Sequence, residues 1–108
     1  MKKKLSTNTM TKSKIILLLL FCSIASSVMA TIHTVNAGEY YYTPSTLTIN
    51  QGDTVKWIND GGFHDVNADV NSQTSMSFNN PVSFQSSPTS SVGAVIYTYI
   101  FTVPGIYN

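Results

Sequence analysis

The chain has 108 residues, six lysines, no arginine, five acidic residues and a single cysteine, Cys22, for a formal charge of +1. Five of the six lysines lie within the first 14 residues, so from residue 31 onward Lys56 alone faces Glu39, Asp53, Asp60, Asp65 and Asp69, a formal charge of −4. That balance gives nucleic-acid binding no electrostatic footing, and the lack of cysteine after residue 30 excludes a disulfide within that segment.

Residues 1–30 have the layout of a secretory signal peptide. Lys2, Lys3, Lys4, Lys12 and Lys14 come first, residues 15–21 form an apolar run, and Ser26-Ser27-Val28-Met29-Ala30 supplies small residues around a cut after Ala30. The apolar run is short for a membrane span, which takes about 20 residues. Lipidation at Cys22 is an alternative, opposed by bulky Phe21 directly before it. The expected destination is the periplasm or the exterior, with no stable membrane insertion after cleavage. Residues 31–108 then form one domain, small enough to bury only about 60–65% of its unfolded surface.

Helical periodicity is absent after residue 30. Short runs of Thr, Val, Ile, Tyr and Phe between Gly, Asn, Asp and Pro clusters predict an all-β sandwich or barrel. Residues 31–36 form a first strand, closed by Ala37-Gly38. Residues 40–42 and 47–50 form a strand interrupted at Pro44, which cannot donate to a ladder. Gln51-Gly52-Asp53 is a turn, and residues 53–59 are a strand with Val55 and Trp57 on one face, as in an antiparallel sheet with one buried side. Residues 67–91 are mostly loop, with one weak strand near 82–85. Residues 94–103 form the last strand, with Val95, Tyr97, Tyr99, Phe101 and Val103 on one buried face. Pro104-Gly105 turns the chain.

A strand carrying Trp57 thus runs into the turn Asp60-Gly61-Gly62, which delivers His64 at the start of the next segment. A histidine held on a stiff β-framework suits a metal ligand. Together, Tyr42-Thr43-Pro44, Leu47-Thr48-Ile49, Gly52-Asp53-Thr54-Val55-Lys56-Trp57-Ile58-Asn59, Phe63-His64-Asp65-Val66 and Phe101-Thr102-Val103-Pro104-Gly105-Ile106-Tyr107 resemble the cupredoxins of the plastocyanin/azurin family. The resemblance spans nearly all of residues 31–108. It implies a Greek-key β-sandwich (cupredoxin-like) with one type 1 (blue) copper that carries single electrons between redox protein partners, as a monomer and without catalysis. It also implies that His64 is the first copper ligand. A Cys, a second His and a Met are expected on a loop beyond Asn108, so that the C-terminal strand and ligand loop are missing and the domain is incomplete at its C-terminus. Two imidazoles and a thiolate with a weak axial thioether accept both Cu(I) and Cu(II). Asp65 departs from the family's amide or hydroxyl beside the ligand, and its charge would favour the oxidised metal.

The remaining candidates read as structural. His33 is expected to face solvent from the first strand, Met76 to lie in a polar loop, and Trp57 to sit in the core. Asp65 to Asn71 superficially follows a D-x-N-x-D calcium loop, but Val70 replaces the sixth-position glycine and Met76 the twelfth-position glutamate. No nucleophile–base pair or phosphate loop emerges. Two other classes stay open: an exported β-sandwich for adhesion or copper sequestration, and the cupredoxin domain of a larger copper oxidoreductase.

Overall fold

The computed structural model describes residues 29–108. The expected signal peptide therefore lies outside the described residues, apart from exposed Met29 and Ala30. Four strands, β1 (Ile32–Gly38), β2 (Tyr41–Thr43), β3 (Thr54–Asn59) and β4 (Val95–Ile100), form one open sheet in the order β2-β1-β3-β4, and the described residues contain no helix. The architecture is all-β.

The sheet is mixed. β1 pairs antiparallel with β2 but parallel with β3, from Ile32 opposite Thr54 to Ala37 opposite Asn59, and β3 pairs antiparallel with β4. A parallel neighbour needs a crossover of about a dozen residues or more, which residues 39–53 supply. The antiparallel arrangement expected around Trp57 holds on its β4 side, where Trp57 faces Tyr97, and fails on its β1 side: alternation fixes which face a residue takes, not the direction of the neighbouring strand. Residues 47–50 are not a strand either. β2 stops at Thr43 before Pro44, and Leu47 is exposed. Their alternation finds no neighbour in the sheet.

Period-2 alternation puts Val35 and Ala37 of β1 on the same face as Val55, Trp57 and Asn59 of β3. This face is covered by residues 64–89, an irregular antiparallel ribbon held by isolated bridges between His64 and Thr89, Asn67 and Gln85, and Val70 and Ser77. The bridge at Gln85 is all that forms of the weak strand expected near 82–85. Ala37, Val66 and Ile96 make the buried core, with Trp57, Phe84 and Tyr97 packed against it. Phe84 is the hub of the aromatic layer. Its ring stacks on Tyr99 at 4.1 Å and Tyr97 at 6.0 Å, meets Phe101 edge-on at 5.8 Å and lies 6.3 Å from Trp57. Such pairs add about 0.5–1.5 kcal/mol each beyond simple burial.

β4 corrects the expected single face. Ile58 pairs with Val95 and Trp57 with Tyr97, so Ile96 is an extra residue, a β-bulge. Ile96 turns into the core and Val95 is left 52% exposed. Tyr97, Tyr99 and Phe101 stay half-buried as expected, whereas Val103 lies past the strand end and is exposed.

Candidate functional site

Because β1 and β3 run parallel, the two histidines sit at opposite ends of the sheet. His33 opens β1, and His64 follows the C-terminal end of β3.

At the His64 end, β3 finishes on Asn59, a fully buried side chain. A buried amide must be satisfied, and this one is used to shape the following turn. Its Oδ1 accepts from the Gly61 N–H at 2.9 Å, and its Nδ2 donates to the carbonyls of Gly62 at 3.1 Å and Thr89 at 3.3 Å. Gly62 has a φ of 91°, and a Cβ there would come within 2.9 Å of the His64 Nε2, so a glycine is required twice over. His64 is then fixed by reciprocal backbone bonds with Thr89, 3.0 Å from its N–H and 2.9 Å to its carbonyl.

The ring itself is oriented by the turn it follows. His64 Nε2 lies 2.7 Å from the Gly61 carbonyl oxygen. A carbonyl only accepts, so Nε2 carries the proton and Nδ1 keeps its lone pair. Among the described residues, no hydrogen bond engages Nδ1. A second nitrogen pinned on a backbone carbonyl is the usual support of a metal-bound histidine, because it fixes tautomer and ring plane. His64 therefore fits one corner of a copper centre. The described residues supply no thiolate and no group of three or more His, Cys, Asp or Glu side chains able to hold a metal. Met76 is exposed in a turn closed by the Asn71 N–H on its carbonyl, and Asn67 and Asn71 spend their side-chain oxygens on the N–H groups of Asp69, Val70, Gln73 and Thr74.

The opposite end overturns the solvent-facing reading of His33. Its Nε2 lies 2.9 Å from Oδ2 of Asp53, which is only 3% exposed. The same carboxylate accepts from the Thr31 N–H at 2.9 Å and the Asn50 N–H at 3.1 Å. The Thr31 N–H, then His33, then the Asn50 N–H hold the Asp53 carboxyl below the usual aspartate range. Asp53 thus ties the start of β1 to the turn before β3. In the sequence it reads as an ordinary turn residue, since nothing local indicates that β1 returns beside it.

Beside His64, a shallow cleft of about 470 Å³ is lined by Gly38, Tyr40, Tyr41, Tyr42, Ser45 and His64. The Tyr41 ring lies against Gly38, where a Cβ would overlap it, and its hydroxyl donates to Asp60 Oδ2 at 3.1 Å. That carboxylate partner raises the Tyr41 phenol above the usual tyrosine range. Sequence reasoning placed these tyrosines on a strand and assigned them no role. No family model, curated protein or solved structure matches the chain.

Proposed function

We propose that the chain belongs to an exported type 1 copper protein that carries single electrons between redox partners, with His64 as one copper ligand and the remaining ligands beyond Asn108. The observation that carries this reading is the His64 ring: Nε2 is engaged by the Gly61 carbonyl, and among the described residues no hydrogen bond takes up Nδ1. Support also comes from the ordered cupredoxin-like motifs, the all-β sheet with an aromatic-covered face, and the charged-then-apolar start that reads as an export signal. The finer Greek-key topology belongs to the same proposal.

Bound copper would supply a Cu(I)/Cu(II) couple. The residues of this chain contribute rigidity: Asn59 and Thr89 hold the turn, Gly61 sets the ring plane, and the Phe84 aromatic layer stiffens the sheet beneath. A ligand that cannot reorient suits a metal whose charge changes without rearrangement.

The test is expression of the gene through the coding sequence beyond Asn108, followed by Cu(II) loading. An intense blue thiolate-to-copper absorption is expected, and His64→Ala abolishes it or converts it to another site type. An unchanged blue band in that variant, or a continuation without a thiol donor, overturns the reading.

A further inference from the structure

We propose that the tyrosine-lined cleft beside His64 is a docking site for an arginine-bearing, cationic segment of a partner protein. The surface is built from three consecutive aromatic side chains that the fold leaves uncovered. Tyr40 is fully exposed, and Tyr41 and Tyr42 are about half exposed. Tyr40 also occupies the second position of the two-residue turn between β1 and β2, at a φ of 63°. Turns with positive φ there favour Gly or Asn. A tyrosine costs stability at that position and covers nothing of its own chain, so its ring is available to something outside.

Charge selects the occupant. Glu39 precedes Tyr40, and its Cγ and the His64 Nε2 both crowd the position a Gly62 Cβ would take, at 3.4 and 2.9 Å. Asp60 is tied to the Tyr41 hydroxyl. Two of the five acids after residue 30, Glu39 and Asp60, therefore stand against the aromatic cleft. The one cation of that segment, Lys56, lies in mid-β3 opposite Thr34, four residues along β1 from the Gly38 that pairs with Tyr41, so it stands away from the cleft along the sheet. An arginine matches both features. Its guanidinium stacks on tyrosine faces and pairs with carboxylates, and it sheds water more readily than an ammonium. Tyrosine and arginine are also the residues that dominate protein interfaces. The docking needs no metal, so it stands apart from the copper reading.

The test titrates the protein, in chelator, with a fluorescent nona-arginine peptide, using nona-lysine, a neutral Gly-Ser peptide and maltohexaose for comparison. The arginine peptide is expected to bind best and to weaken as salt rises. Tyr40→Gly and Glu39→Gln should each weaken it by about three- to tenfold, and Tyr40→Gly should at the same time raise the melting temperature. Asp69→Asn, in a separate cavity with Asn79 and Asn80, should leave binding unchanged. Unchanged binding in Tyr40→Gly overturns the proposal. So does an Asp69→Asn loss equal to that of Glu39→Gln, or tighter binding of maltohexaose than of the arginine peptide. Each of these failures leaves the blue-copper experiment untouched.

Discussion

The two ends of the sheet carry one histidine each, and each uses Nε2 for a contact to its own chain, yet the ends are built for different purposes. At His33 the partner is a buried carboxylate that already binds two backbone N–H groups, and the result is a closed clamp. At His64 the partner is a backbone carbonyl in a glycine turn, and the result is a ring oriented by neutral backbone. Among the described residues Nδ1 has no hydrogen bond at either histidine, so the ends differ in the acceptor and not in a spare nitrogen. A carboxylate gives the imidazole a charged acceptor already braced by two N–H groups, whereas a carbonyl orients the ring and adds no charge. The acceptor in each contact, more than the histidine, sets how the two ends differ: buried and charged at His33, neutral backbone at His64.

Breaking the brace of the His64 end should have the largest effect. Asn59→Ala strands the Gly61 N–H and the Gly62 carbonyl and leaves the Thr89 carbonyl only its bond from the His64 N–H. It should cost about 3 kcal/mol in denaturant melts, from lost bonds at about 1 kcal/mol each plus the penalty of leaving buried groups unsatisfied. Phe84→Ala should follow closely, at about 2–3 kcal/mol, because Phe84 is only half-buried but touches four rings. His64→Ala should cost no more than about 1 kcal/mol, the worth of one hydrogen bond, while removing the proposed copper ligand. A stability loss in His64→Ala as large as that of Asn59→Ala would erase the contrast between the ends.

Acid should sharpen the comparison from the other side. The Asp53 carboxyl is held below its ordinary value in the folded protein, so its contribution to stability is fully present above the unfolded aspartate pKa. It is lost as pH falls below about 4 toward the folded value. Melting temperature in Asp53→Asn should then be lower at neutral pH and less dependent on pH in that acidic window. The smallest expected change is Tyr40→Gly, a gain of about 1 kcal/mol from relief of the left-handed conformation.

Much of the frame was legible in the residues. Alternation in residues 31–36, 53–59 and 94–103 located β1, β3 and β4, because a half-buried strand writes its two faces directly into the chain. The parallel β1–β3 pairing was not legible, since partner direction leaves no mark on either strand. The alternation of Leu47 and Ile49 with Thr46 and Thr48 misled for a related reason: a pattern suited to a sheet needs a neighbour to pair with. Phe84 was hidden among Ser, Gln and Pro, where a lone aromatic gives no period. At the candidate site, His64 stood out through its glycine turn and flanking motifs. Asn59 did not, because a buried asparagine at a strand end looks like any turn asparagine. Asp53 was obscured similarly, its partners lying 20 and 22 residues away at His33 and Thr31.

The extra residue at Ile96 makes β4 a strand whose orientation is set by a count. Since side chains flip with every step along a strand, inserting one more residue between Gly93 and Tyr97 would have to be absorbed as a larger bulge or would rotate Tyr97, Tyr99 and Phe101 together toward solvent. Removing Ile96 would instead leave a regular ladder with Tyr97 still opposite Trp57 and take only the Ile96 side chain out of the core. The two directions of length change at this corner are thus unequal: a shorter chain meets a straight ladder, and a longer one must find room for a second irregularity.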